Sequence, residues 1–459
     1  MSERSRHRHP CVAPKRPIVS RFFACPALSV GLTLAPEVGR AHDSSAPSAS
    51  SSVTAQTPAP TATDPAQGLT EAEAVARAVG DPVLGQLRAG LEAEAEADGL
   101  RRTTRPNPTL QYTREQLVGR TSTGEDYLTL AQTVDLSGRR ARYRRAASAR
   151  RQAATERAHR VNVDVATRTR HRYYELLAAQ LRHVTLSQWQ ERVAAGLDAV
   201  RRREAAGDAA TYDRLRLQRE RTRVVALVEQ ANATRHAAWA ALAVLMGPGA
   251  ASPEGAGTPP LRGELLPPVN DRFTVAARDP LDTPEFRAVE AEAMALAWER
   301  SAAARGWIPR PNLGAGYKGV GQSNGIRAHG FMATVGLPLP IFDRQRAAKA
   351  RASAQASSLS ARSQLALRHR LAEVAALQQQ VTRLARAAAN LERENAEQTR
   401  MLVAAESSYR GGEIGVIELL DAYRSGAEAE LLALELALAA RVAEIELRRR
   451  TQPGKRGRP

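Results

Sequence analysis

The chain of 459 residues is strongly basic, with 66 Lys and Arg against 48 Asp and Glu and a formal net charge of +18. Only 4% of its residues are aromatic, while Ala, Leu, Arg and Glu dominate long stretches, a composition typical of long helices. The basic residues are interleaved with acids along these stretches, which argues against a nucleic-acid-binding patch. Beyond the N-terminal segment no apolar run approaches about 18 residues, so no transmembrane helix is predicted.

The N-terminal segment has the parts of a targeting sequence. Residues 1–21 are rich in Arg and Lys, Phe22–Pro36 is mostly apolar, and a site with small residues at alternate positions follows. This order predicts a secretory signal peptide over residues 1–41, with lipidation at Cys25 as the alternative. Residues 42–68 are rich in Ser, Pro, Ala and Thr, so they predict a disordered linker.

One short phrase occurs twice in the chain. "RPNPTLQY" begins at Arg105 and "RPNLGAGY" begins at Arg310, 205 residues later. Gly207 and Gly412, each between two helical runs, repeat at the same offset of 205 residues. Each half reads in one order: short helix, RPN phrase, two strands, very long helix, glycine turn and shorter helix. The sequence therefore predicts a duplicated protein with repeats at 69–262 and 263–450, followed by a basic tail at 451–459.

The predicted strands come in two pairs. Tyr127–Leu136 and Phe331–Pro340 alternate apolar and polar residues with period 2, as expected for strands with one apolar face. Each follows a polar, glycine-containing connection, at 119–125 and at 321–330, so two hairpins and no other strands are predicted. Alternation places Leu130, Val335 and Leu337 on the apolar face, and Thr129 and Thr334 on the other.

Two helical runs are far too long for an ordinary globular domain. Gly138–Ala206 and Arg344–Arg410 contain no proline, and each would span roughly 100 Å. After Gly207 and Gly412 the chain returns to helix, so two antiparallel helical hairpins are predicted. Because four strands cannot close a barrel, we expect several chains to contribute strands to one closed sheet.

This order of elements resembles the TolC family of outer-membrane efflux channels over residues 69–450. The motifs that carry the resemblance are "LTEAEAVARAV", the two RPN phrases, "VDLSGRRARYRRAASA", "LPLPIFDRQRAAKARA", "AAGDAATYDRL" and "YRGGEIGVIELLDAY". Their wording is most similar to the heavy-metal-efflux branch. The resemblance implies a mainly α subunit with a small β part, which forms a trimeric 12-stranded outer-membrane β-barrel and a periplasmic α-helical tube.

The resemblance also implies a function and partners. The homotrimer would be a passive exit duct for metal cations or drugs, embedded in outer-membrane lipid. It would receive them from an inner-membrane pump of the resistance-nodulation-division type through a periplasmic adaptor. The sequence carries no enzyme signature such as G-x-S-x-G, Walker A or H-E-x-x-H, and it predicts no cofactor, no metal site and no nucleic-acid partner.

The resemblance places the candidate functional residues around the two glycine turns. Gly207 and Gly412 would lie at the periplasmic end, where the adaptor docks. Asp213 and Tyr409 match an acidic and a tyrosine residue that hold this end closed, whereas Ile414 stands where some members have a basic residue. Ordinary helix-surface positions are the alternative for Asp213 and Tyr409.

Two further carboxylates lie just beyond the second turn. Glu418 and Asp421 are three residues apart, hence on one helix face. They match positions that form an acidic ring inside the entrance of some relatives, where converging carboxylates attract cations. A solvated pair on the outer surface is the alternative.

Two other classes of protein fit parts of the sequence. A soluble basic coiled-coil protein, as a scaffold or bound to nucleic acid, would account for the helices but not for the strand pairs or the signal peptide. A periplasmic adaptor also has a long helical hairpin, but normally only one, set within a lipoyl-type β domain that this sequence lacks.

Overall fold

The computed structural model describes residues 68–119, 122–248, 257–268, 282–322 and 324–451. All of these belong to the second of two contact units, residues 64–459. The predicted signal peptide, the linker before Gly68 and the tail after Thr451 lie outside the described residues.

Helices make up most of the described chain. They are α1 (Glu71–Val79), α2 (Pro82–Thr103), α3 (Arg139–Ala206), α4 (Thr211–Met246), α5 (Pro284–Ala303), α6 (Arg346–Gly411) and α7 (Val416–Thr451). The two long runs are confirmed, since α3 has 68 residues and α6 has 66. The first half enters its strands through two helices, α1 and α2, where the sequence predicted one short helix.

The strands are β1 (Leu69–Thr70), β2 (Thr109–Leu117), β3 (Thr123–Thr133), β4 (Leu261–Arg262), β5 (Asn312–Gln322) and β6 (Arg327–Gly336). Four of them form one antiparallel sheet in the order β2-β3-β5-β6, so the two predicted hairpins are confirmed and are joined through β3 and β5. The prediction of no other strands is wrong, because β1 and β4 form a separate parallel pair.

The strand boundaries differ from those predicted. The connections are shorter, because β3 already begins at Thr123 and the second hairpin turns between Gln322 and Arg327. At the other end, β6 stops at Gly336 instead of continuing to Pro340. Proline has no N–H for a sheet ladder, and Pro338 and Pro340 follow immediately. Leu337 is therefore outside the strand, and its predicted place on the sheet face is wrong.

The register sorts the sheet into an apolar and a polar face. Directly opposed residues share a face, and Leu130 lies opposite Ala315, while Val335 lies opposite Leu313. Thr129 and Thr334 fall on the other face, as the alternation predicted. The apolar face, made of the exposed side chains of Leu110, Tyr112, Leu128, Leu130, Leu313, Tyr317, Phe331 and Val335, has no cover among the described residues. Phe331 is 95% exposed.

Each long helix begins with a residue in the left-handed conformation. Gly138 has φ 66° at the start of α3, and Gln345 has φ 60° at the start of α6. Glycine adopts this conformation freely, whereas glutamine is strained there. Asp343 compensates by accepting the Gln345 N–H at 2.8 Å. The two junctions also touch, because the Arg139 guanidinium donates to the Gln345 side-chain oxygen at 3.4 Å.

Residues 264–266, at the predicted start of the second repeat, are held by hydrogen bonds in a region that we call the repeat clamp: Tyr173, Arg441 and residues 264–266. Arg441 on α7 donates to the carbonyl oxygens of residues 264, 265 and 266 at 2.7, 3.0 and 2.9 Å. The Tyr173 hydroxyl on α3 reaches the carbonyl of Leu69 at 2.9 Å and that of Arg262. Burial raises the pKa of Tyr173 to about 12, so its hydroxyl keeps its proton and remains a donor.

Buried side chains form two clusters. One surrounds the repeat clamp, and the other lies between α3, α4, α6 and α7 near the glycine turns. The second includes Val193, Leu197 and Val200 on one stripe of α3, which is the spacing of a coiled-coil contact. Within the described residues no helix is both long and apolar enough to cross a membrane.

Candidate functional site

The two glycine turns have the same backbone geometry. Gly207 has φ 86° and Gly412 has φ 79°, which L side chains rarely adopt. After α3, Asp208 donates to the Arg203 carbonyl at 2.8 Å, and after α6, Glu413 donates to the Ser408 carbonyl at 2.9 Å. These bonds, with those from the glycine N–H groups, form the Schellman motif that ends a helix. We call the two turns with their adjoining helix ends, residues 200–217 and 405–424, the helical tips.

Tyr409 is the central aromatic residue of the helical tips. Its side chain is 4% exposed, yet its hydroxyl has no hydrogen-bond partner in the part of the chain that the structure describes. Burial raises the pKa of this hydroxyl, the Arg203 guanidinium opposes that rise, and the Asp213 carboxylate adds to it. Asp213 thus acts on Tyr409 through its charge, and no hydrogen bond joins the two side chains in the described residues.

A basic residue reaches Tyr409 from the other helical hairpin. Arg203 of α3 donates to the Tyr409 carbonyl at 2.8 Å, and its guanidinium lies 5.2 Å from the centre of the tyrosine ring. Ile414, at the position that is basic in some relatives, packs instead against the core near the turns. The sequence did not single out Arg203, because the position aligned with a basic residue lies on the second tip.

Glu418 and Asp421 are both exposed on the first turns of α7. Glu418 also has a local role, since one of its carboxylate oxygens accepts the Gly415 N–H at 3.1 Å. A glutamate that reaches back to the residue before its helix stabilises the helix start. Asp421 lies near Arg424 and helps to raise the pKa of that guanidinium, after the larger effect of its hydrogen bond to Glu220.

A buried ion pair links the two helical hairpins. Glu220 of α4 has a side chain that is 4% exposed, and both of its oxygens accept from Arg424 of α7, one of them at 3.1 Å. Arg223 adds a third contact at 3.5 Å. Buried charges are stable in proteins only when they are paired in this way. This pair was not predicted from the sequence, although Glu220 and Arg424 stand 13 and 12 residues after Gly207 and Gly412.

No metal site is found at the helical tips or elsewhere in the described residues, where no three His, Cys, Asp or Glu side chains lie close enough to hold an ion.

The fold is that of outer-membrane efflux channels. CusC has a TM-score of 0.67 at 17% identity over 84% of this chain and 92% of its own. VceC from Vibrio cholerae has a TM-score of 0.66 at 17% identity over 84% and 97%. The MtrE outer-membrane channel of Neisseria gonorrhoeae, in its open state, has a TM-score of 0.64 at 18% identity over 84% and 89%.

The sequence agrees with the fold. Residues 281–451, which lie within the second half of the chain, match the family model described as outer membrane efflux protein. No curated protein sequence matches. The resemblance to outer-membrane efflux channels, inferred from the paired motifs, is thereby confirmed.

Proposed function

We propose that this chain is the channel subunit of a tripartite efflux system and gives a passive exit duct across the outer membrane. The observation that carries this proposal is the apolar face of the sheet. Eight large apolar or aromatic side chains are exposed there, on a sheet whose four strands lead directly into or out of helices. A water-soluble monomer seldom exposes so continuous an apolar surface, whereas lipid would cover it.

The assembly we propose is a homotrimer. In the described residues, β2 pairs only with β3 and β6 pairs only with β5, so each has one edge without a partner. Exposed edges of this kind pair readily with other strands. Three copies placed edge to edge would bring twelve strands into one closed barrel, and the helices that continue the strands would form the tube in the periplasm.

The partners follow from the proposed assembly. A periplasmic adaptor would dock at the helical tips around Gly207 and Gly412, and an inner-membrane pump, of the resistance-nodulation-division type, would deliver the cargo. The motifs at the strand-to-helix junctions resemble the heavy-metal-efflux branch. The cargo we propose is metal cations or drugs.

The gate of this duct lies at the helical tips in our proposal. The buried Tyr409 hydroxyl without a partner and the nearby Asp213 carboxylate support a closing contact between helices. The exposed pair Glu418 and Asp421 would gather six carboxylates around the threefold axis. In a narrow bore such a ring would attract cations and repel anions.

The proposal is tested with the full chain purified in detergent. We expect a homotrimer by native mass spectrometry, and channel conductance when the same sample is placed in planar bilayers. The control is Leu130→Arg, which puts a charge on the apolar face and should lower insertion without changing the helix content. A monodisperse monomer that keeps its helix content and its channel activity would contradict the trimer.

A further inference from the structure

Arginines gather in one cavity where the sheet meets the helices. The cavity has a volume of about 540 Å³ and lies between the end of α2, the end of β3 and the start of α3. The arginines that line it are Arg102, Arg105, Arg139, Arg140, Arg144 and Arg310. Arg105 and Arg310 are the first residues of the two RPN phrases, so both repeats contribute to the same cavity. We call it the arginine pocket.

The acidic residues near the arginine pocket do not balance these charges. Asp135 lines the pocket, but its carboxylate oxygens already accept hydrogen bonds from the backbone N–H groups of Ser137 and Arg140, each at 3.0 Å. Glu299 pairs with Arg102 at 2.5 Å. Among the described residues, no carboxylate lies within 4.0 Å of the guanidinium groups of Arg105, Arg144 or Arg310.

Two observations show a free hydrogen-bond donor and uncompensated positive charge at the pocket. The Nε atom of Arg139 is buried and has no hydrogen-bond partner in the described part of the chain. Desolvation lowers the pKa of the Arg140 guanidinium, the like charges of Arg144 and Arg105 lower it further, and the Asp135 carboxylate opposes them only in part. Cations held together in this way are stabilised by a bound anion, and guanidinium groups match the geometry of phosphate.

The position of the arginine pocket indicates the source of the anion. Gln132 lines the pocket and by register lies on the apolar face of the sheet, two residues beyond Leu130. Gln132 also donates to the Pro106 carbonyl at 2.9 Å, which ties the RPN phrase to the end of the strand. The charged pocket thus adjoins the last apolar row of the sheet, which is where the headgroups of a lipid leaflet would lie.

We propose that the arginine pocket binds the phosphate of an anionic phospholipid headgroup, with the lipid chains along the apolar face of the sheet. This inference rests on the proposed placement of the sheet in a membrane. A free phosphate has the same charge but no acyl chains, so it would gain nothing from the adjoining apolar row.

The test uses the full chain in dodecyl maltoside, titrated with phosphatidylglycerol or with phosphatidylcholine of the same acyl chains, and counts bound lipids by native mass spectrometry. We expect tighter binding of phosphatidylglycerol. The double variant Arg105→Gln with Arg144→Gln removes two charges that have no carboxylate partner. It should weaken phosphatidylglycerol binding about tenfold or more, and leave phosphatidylcholine binding unchanged.

The matched control is Arg219→Gln with Arg221→Gln, two exposed arginines of α4 far along the chain from the pocket. This control should bind both lipids as the unaltered protein does. If the first double variant loses helix content, Arg310→Gln replaces it, because Arg310 is exposed and comes from the other repeat.

Three results would overturn the proposal: equal affinity for the two lipids, an unchanged preference in the pocket variant, or complete displacement of the lipid by millimolar inorganic phosphate. Lipid binding is measured per chain and needs no conductance. Failure of the lipid site is therefore distinguishable from failure of the channel proposal.

Discussion

The ion pair between Glu220 and Arg424 predicts a measurable connection between the two helical hairpins. We consider Arg424→Gln, which leaves the Glu220 carboxylate buried with only the 3.5 Å contact to Arg223. Glu220→Gln and the double change complete a double-mutant cycle. The pair joins α4 to α7, which otherwise touch little, so its loss should loosen the helical tips more than the sheet.

The expected loss in the free energy of unfolding follows from the burial of the Glu220 carboxylate. Removing one partner of a buried ion pair costs about 3–5 kcal/mol. Here the Arg424 side chain is 39% exposed, so water screens it, and Arg223 remains near the carboxylate. We therefore expect a loss below this range, about 2 kcal/mol in the free energy of unfolding for Arg424→Gln. In the double variant no charge is left without a partner, so it should lose less than the sum of the two single changes.

The assay is urea unfolding of the detergent-solubilised chain by circular dichroism, with hydrogen exchange to locate the change in α4 and α7. Glu229→Gln is the control, since Glu229 is an exposed acid on the same helix and should change stability by less than about 0.5 kcal/mol. Additive effects of the two single changes, with no added exchange near the tips, would refute the argument that this pair holds the hairpins together.

Leu130→Arg should cost roughly 2–4 kcal/mol near the centre of the bilayer. Thr129→Arg on the polar face should cost much less, as measured by folding yield into lipid vesicles. Glu418→Gln with Asp421→Asn should reduce cation preference and weaken block by multivalent cations in planar-bilayer conductance, with the trimer intact. Gln345→Gly should relieve about 1 kcal/mol of left-handed strain; the gain in thermal stability is smaller if the side-chain contacts of the glutamine matter.

For each of these predictions, one outcome would contradict the reasoning. Equal folding yields for the two arginine variants would mean that the sheet faces are wrongly assigned. Unchanged ion selectivity after the double change would place Glu418 and Asp421 on the outside of the tube. A less stable Gln345→Gly protein would mean that the bonds of Gln345 to Arg139 and Asp343 outweigh its backbone strain.

Local patterns predicted much of the fold. Absence of proline and a helix-forming composition predicted α3 and α6, and glycine between helical runs predicted both turns, because these signals act over a few residues. The pairing of β3 with β5 is different, since it joins strands that lie almost two hundred residues apart. Alternation predicts which face a residue occupies, but it says nothing about which strand is the neighbour.

Contacts between helices could not be predicted from the sequence, for a physical reason. Each residue turns a helix by about 100°, so a small error in phase over a long helix changes which side chains face a neighbour. Arg203, Arg424 and Arg441 therefore looked like any of the 66 basic residues of the chain. Asp213 and Tyr409 were found only because the motifs around the glycines aligned with a known family, and their role in a gate stays a prediction.

The repeat clamp is a fixed point about which helices α3 and α7 could tilt. It contacts α3 at Tyr173 and α7 at Arg441, and from there each helix runs roughly 40–50 Å to its glycine turn. Over that length a tilt of about 5° displaces the turn by about 4 Å, which lies between the small helix shifts of about 1–2 Å and the one-turn shifts of about 5.4 Å in switching proteins. Three carbonyls hold Arg441 at one point of α7, so this contact restrains the helix far from its glycine turn. A tilt of that size about the clamp would move the helical tips by more than the diameter of a water molecule.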